Sequence, residues 1–189
     1  MNIDSNHLAT WVGASESRTE RLGAAPAQGL AALLNRENLV FAQGDLLPPG
    51  WQWLYFLPSA RQSELGVDGH PKLGGFMPPI PLPRRMWAAG RMSIHQQLRI
   101  GDEVTRTTTI KAINVKDGRS GTLIFVTLAH QLAANGIVAI NEEQDLVYRE
   151  APPPATGAAA PPKRHEAEAQ WSRQVEPDPT LLFRYSALT

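Results

Sequence analysis

The stretch from Thr122 to Arg149 constrains the fold more than any other part of the chain. "TLIFVTLAHQLA" (122–133) is apolar at odd and even positions alike, the pattern of a strand covered on both faces and therefore central in its sheet. Asn135-Gly136 follows, a two-residue hairpin signal because both positions tolerate positive φ. "IVAINEEQDLVYR" (137–149) is then the returning strand. Upstream, "WAAGRMSIHQQL" (87–98) and "DEVTRTTTIKAINV" (102–115) read as two more strands, the second with four Thr among β-branched neighbours. Asp117-Gly118 is the turn expected between the second and third. These four strands form an antiparallel meander.

A helix precedes them. In "AAPAQGLAALLNR" the residues Ala24, Ala27, Leu30, Ala31 and Leu34 recur at three- and four-residue spacing, a narrow, smooth apolar stripe. Gly29 within it costs helix stability, about 1 kcal/mol relative to Ala, so it suits a helix that another element approaches closely. One Ala-rich helix and long antiparallel strands predict an α+β layer architecture, a sheet wrapped around a buried helix. Between helix and meander, Trp51–Phe56 reads as a short aromatic strand. A long Pro/Gly-rich connection reaches Pro83, and its length suggests a functional loop.

"APPPATGAAAPP" (151–162) is a linker by composition. Beyond it "AQWSRQVEPD" (169–178) reads as a strand, and "LLFRYSALT" as a helix with Asp178 as cap and Pro179 in the first turn. Its apolar face would be Leu181, Leu182, Tyr185 and Leu188. No stop signal follows, and a strand with one helix buries too little surface to fold alone. The expectation is that the chain stops inside a second domain.

The 189 residues contain no cysteine, which excludes disulfides, thiolate metal sites and Cys nucleophiles. Eighteen basic residues balance eighteen acidic ones, which argues against broad attraction to nucleic acid or membrane surfaces. The N-terminus lacks the apolar run of a secretory signal, and no stretch approaches the ~20 apolar residues of a membrane span. The compartment expected is the cytoplasm.

His7 and His165 read as solvated, and His95 and His130 as strand residues that pack or face solvent. His70 and Asp68 could do acid–base chemistry on the connection, although "VDGHP" is also a turn. No two histidines have metal-ligand spacing, so no metal site is expected. One cluster remains in "PLPRRMWAAGR": Arg84, Arg85 and Arg91 beside Trp87. Arginine binds phosphate through a rigid fork of donors and Trp offers a stacking face, so this corner could hold a phosphorylated purine ligand such as an acyl-CoA. The alternative is a basic edge paired with acids such as Asp102 and Glu103.

The runs "LPPGWQWLYFLP", "LGVDGHPKLGGFMPPIPLPRRMWAAGR", "KDGRSGTLIFVTLAHQ" and "EEQDLVYREAP" resemble the double hot-dog acyl-CoA hydratases of the mesaconyl-C4-CoA (3-methylfumaryl-CoA) hydratase type. These are related to the hydroxyacyl-thioester dehydratases of type two. The resemblance implies an α+β hot-dog fold, an antiparallel sheet wrapped around a long helix. It divides the chain into an N-terminal, MaoC-like hot-dog domain (1–150), a linker (151–164) and the start of a second hot dog (165–189).

It further implies hydration of an enoyl thioester, or the reverse dehydration, with no metal or redox cofactor, the CoA being carried by the substrate. The catalytic His belongs to the second hot dog in that family, so no catalytic residue can be assigned in this chain. Arg84, Arg85, Trp87 and Arg91 are the substrate-binding candidates, an inference from charge and position alone. The partners expected are an acyl-CoA thioester and a second hot-dog domain or chain carrying the catalytic His. Unpaired sheet edges favour homo- or hetero-oligomers. Three readings follow: part of a short-chain acyl-CoA hydratase, a non-catalytic subunit of a split enzyme, or a binding relic.

Overall fold

The computed structural model describes residues 3–118, 121–151 and 168–189. Its elements are α1 (Ser5–Ala9), β1 (Ser15–Arg21), α2 (Ala24–Leu33), β2 (Arg84–Ile94), β3 (Glu103–Gly118), β4 (Gly121–Ala134), β5 (Ile137–Arg149) and α3 (Pro179–Leu188). The strands form one five-stranded sheet in the order β1-β3-β4-β5-β2, every neighbouring pair antiparallel; only β3, β4 and β5 run as a meander, and β2 pairs with β5 at the sheet edge rather than with β3 as expected. β4 is central, as its two-sided apolar pattern requires. The β4–β5 turn places Asn135 at φ 51° and Gly136 at φ 80°, the two left-handed residues of a tight hairpin.

β1 was not legible as a strand, since "SESRTER" is wholly polar. It is held by its outer face: the hydroxyls of Ser15, Ser17 and Thr19 meet those of Thr109, Thr107 and Thr105 at 3.1, 2.8 and 2.8 Å. The Thr-rich stretch of β3 thus serves as a hydroxyl ladder as well as an extended backbone. Cross-strand pairs of this kind contribute roughly 0.2–1 kcal/mol each.

Two apolar clusters lie on the inner face. The first gathers α2 through Ala27, Leu30, Ala31 and Leu33 with Val104, Leu132 and Ile140. The second gathers Ile110, Ile124, Val126, Leu128 and Tyr148 with Ile80 and Leu82, beneath Leu73, Phe76 and Met77 of the long connection. Full burial of side chains of this size is worth about 1.5–3 kcal/mol each. A sheet curled over α2 is the hot-dog arrangement. Helix α2 itself has ten residues.

Four local expectations are corrected. Trp51–Leu54 forms a 3-10 turn after Gly50 (φ 86°), because the aromatic run buries Leu54, Tyr55 and Phe56 as a plug rather than pairing with a strand. Residues 169–178 pair with no strand and are exposed, with Trp171 79% exposed. Asp117 and Gly118 are the last residues of β3, paired opposite Thr122 and Gly121, rather than the turn itself; residues 119–120 lie outside the described residues. β2 ends at Ile94, which leaves His95 just beyond it.

The linker residues 152–162 and His165 also lie outside the described residues. The start of α3 is as expected: Asp178 Oδ1 accepts from the Leu181 amide at 2.8 Å, with Pro179 in the first turn. Its apolar face is narrower than expected. Leu181 and Leu188 pack against the first cluster, whereas Leu182 and Tyr185 are exposed. Among the described residues no helix is long and apolar enough to cross a membrane.

Candidate functional site

Strand register explains the site. Side chains alternate across the sheet, so partners Arg18↔Arg106, Glu16↔Thr108, Thr108↔His130, His130↔Glu142 and Leu128↔Gln144 all share the inner face. On each strand they fall between residues of the two apolar clusters. The result is a polar belt crossing the concave face from β1 to β5. Over it lies a cavity of about 740 Å³, floored by Leu128, Leu146, Thr108 and His130, and bounded by Arg18, Arg106, Arg85 and Trp87. The Pro/Gly-rich connection supplies its roof through Pro58–Ala60, His70–Lys72, Phe76 and Met77. That volume falls in the range of small-molecule sites.

The belt's charges are specifically held. Arg106 Nη2 donates to the Phe56 carbonyl at 3.2 Å, and its guanidinium sits 5.0 Å from the Phe56 ring centroid. Arg18 Nη1 donates to the same carbonyl at 3.5 Å and to that of Leu57 at 3.1 Å. Phe56 is buried at φ 61°, in the left-handed region that a bulky residue occupies only under constraint. Glu20 supplies the third tie by accepting from the Phe56 amide at 2.8 Å.

His130 is held neutral: burial first, and then Arg106, push its pKa down to about 4. Its Nδ1 lies 2.9 Å from Thr108 Oγ1. Glu142 is buried and its pKa is raised by that burial, against the opposing hydrogen bond from the Trp53 indole. Arg85 Nη2 stands 3.3 Å from Asp68 Oδ2, an ion pair without hydrogen-bond alignment. Among the described residues, Arg85 Nη2 and Arg106 Nε are buried donors with no hydrogen-bond acceptor.

The four sequence candidates do not share one corner. A bulge between Trp87 and Ala89 changes the facing of β2. Arg85 and Trp87, opposite Tyr148 and Leu146, face the cavity. Arg91, opposite Glu143, is on the outer face, where it binds Glu143 at 2.8 Å and Asp145 at 3.0 Å beside Lys111. Asp102 and Glu103 are not its partners. Arg84 is exposed opposite Arg149. His7 is exposed on α1 and His70 is on the cavity roof. No three of the described His, Asp and Glu residues converge as metal ligands.

Residues 50–189 match the hydroxyacyl-thioester dehydratase type 2 family. The chain is a member of that family. It is 47% identical over 189 residues to the mesaconyl-C(4)-CoA hydratase of Chloroflexus aurantiacus, covering 99% of this chain and 66% of the relative, just under two thirds of its length. Among solved structures, the ChsH1-ChsH2 complex from Mycobacterium tuberculosis superposes with a TM-score of 0.54 at 12% identity, over 77% of this chain and 89% of that one. A MaoC-like dehydratase gives 0.51 at 12% identity, over 74% and 42%. These likenesses concern the hot-dog fold.

For a hydroxyacyl-thioester dehydratase relative, the residues missed in the sequence matter most. Arg18, Arg106 and Glu142 carry no motif. For Arg106 and Glu142 a period-two signal could have found them, since each is a charged residue in line with buried apolar positions of its own strand, Val104 and Ile110 or Ile140 and Tyr148; Arg18, on a wholly polar strand, offers no such signal. His130, read as a strand residue that packs or faces solvent, is half-buried at the centre of the belt.

Proposed function

We propose that this chain forms the acyl-binding hot dog of an enoyl-CoA-type hydratase, or 3-hydroxyacyl-thioester dehydratase, acting on short branched or dicarboxylic acyl-CoA esters of the mesaconyl-C4-CoA kind. The observation that carries this reading is the cavity between the two apolar clusters. Its floor suits a short carbon skeleton, while Arg85, Lys72 and Trp87 at its margin suit the phosphates and adenine of CoA.

The reaction would be reversible addition of water across the double bond of the thioester. A base takes a proton from water as its oxygen adds to the β-carbon, and a proton is delivered to the α-carbon. In the reverse direction the α-proton leaves and the β-hydroxyl departs as water. His130 is poorly suited to be that base. A catalytic base works best with a pKa near the operating pH, and one near 4 is a weak proton acceptor. We therefore assign the acid–base His to a second hot-dog unit, on the same chain or a partner, with this unit as groove wall. No metal or redox cofactor is required by this chemistry, and the cytoplasm is the compartment that fits it.

Fluorescence titration of Trp53 and Trp87 with short acyl-CoA esters, alongside a hydration assay, tests the reading. The chain alone should bind the esters and not turn them over. No binding would remove the acyl-CoA reading, and turnover by this chain alone would place the catalytic residue within it.

A further inference from the structure

Arg18 and Arg106 are direct cross-strand partners on the inner face, two like charges opposite one another. Such a pairing is unfavourable. Burial and the Arg18 charge both disfavour the Arg106 cation. Three carboxylates are near enough to act on Arg106 through space, Glu16, Glu142 and Glu20, yet none forms an ion pair within 4.0 Å of it or of Arg18 among the described residues. Glu20 is held by the Phe56 amide and Glu142 by the Trp53 indole, while Glu16 lines the same cavity as the two arginines but is exposed to solvent. The two guanidiniums donate to main-chain carbonyls instead, and Arg106 Nε is buried without an acceptor.

Two guanidinium groups converging on one cavity, beside a neutral imidazole and an apolar floor, match a planar anion attached to a short carbon chain. The carboxylate is that anion: its two oxygens match the guanidinium fork, and its carbon skeleton can rest on Leu128 and Leu146. We infer that the Arg18–Arg106 pair receives the free carboxylate of a dicarboxylic acyl thioester and thereby selects such substrates over monocarboxylic ones. This rests on the acyl-CoA reading above and adds the part of the substrate that the belt recognises. The Phe56 clasp would serve as positioning, since its carbonyl aligns both arginines.

The test compares two thioesters that differ at one group: 3-methylfumaryl-CoA, with a free carboxylate, and 3-methylcrotonyl-CoA, with a methyl in its place. Calorimetric titration of the full chain should show the first bound about 10- to 100-fold more tightly, the range expected for charge-assisted hydrogen bonds. Arg106→Gln and Arg18→Gln should each reduce that ratio about tenfold. Far-UV circular dichroism and the urea midpoint of each variant serve as the control for folding. Arg18 is exposed, so its variant decides the matter should Arg106→Gln fail to fold. Equal affinities in the unaltered chain, or a ratio unmoved by both substitutions, would overturn the inference while leaving acyl-CoA binding intact. If neither thioester binds, the acyl-CoA reading falls and takes this inference with it.

Discussion

The Trp53 indole N–H lies between both oxygens of the buried Glu142 carboxylate, at 3.0 and 3.1 Å, and the Trp53 ring meets Trp87 edge-on at 5.4 Å. The carboxylate is thus held by one indole, which in turn leans on Trp87 at the cavity margin. Burial raises its pKa, so the folded state holds this proton more tightly than the unfolded state. The associated stability is present below the ordinary carboxylate pKa and is lost as pH rises through the folded value. Glu142→Gln should therefore gain on the parent chain as pH increases across that interval, in urea midpoints measured from pH 4 to 8. Trp53→Phe should cost about 1 kcal/mol or more near pH 8, where it leaves a buried carboxylate without its donor.

His130 has the opposite sign. Its pKa is pushed from 6.5 down to about 4, so the unfolded chain binds that proton more tightly. Its contribution is present above pH 6.5 and is lost as pH falls toward 4. His130→Gln should flatten the acid side of the stability profile. Nitrogen-15 chemical shifts of the ring should report a neutral imidazole at pH 6, and an imidazolium there would contradict the burial argument.

The division of the basic cluster by the β2 bulge predicts unequal effects. Arg85→Ala and Trp87→Ala should each weaken acyl-CoA binding several-fold in fluorescence or calorimetric titrations. Arg91→Ala should leave affinity unchanged, because its guanidinium is taken by Glu143 and Asp145 on the outer face. An Arg91 effect as large as that of Arg85 would mean that both faces of β2 contact the ligand.

A β-carbon on Gly29 would stand 3.2 Å from Leu188 Cδ2, the end of a side chain that can rotate aside. Gly29→Ala should accordingly stabilise the domain by up to about 1 kcal/mol, the helix-propensity gain exceeding the small displacement. Gly29→Leu should detach α3. Hydrogen exchange of residues 179–188 would rise toward that of an isolated helix while α2 remained protected.

Much of this fold was legible because period and turn chemistry are local. The apolar run of β4, the Asn135-Gly136 hairpin and the small-residue stripe of α2 each specify an element with no reference to distant residues. Gly29 was legible as a close-approach position for the same reason, though not the identity of Leu188 as its neighbour. β1 was not, since its stability comes from hydroxyl pairs with β3 rather than from its own residues. Trp51–Phe56 has strand-like composition, yet its apolar side chains are buried as a plug and its backbone turns.

The site shows the same boundary. The sequence by itself determined an α+β sheet over a helix, a family resemblance, and a basic cluster next to Trp87. Only tertiary structure decided which of those cations face the cavity, because the bulge at Trp87/Ala89 reverses the facing of every residue after it. It also decided that Arg18, Arg106, His130 and Glu142, taken from four strands as many as 124 residues apart, form one belt. Register is a relation between strands. A single strand's pattern shows which side chains share a face, and pairing alone shows what they meet there.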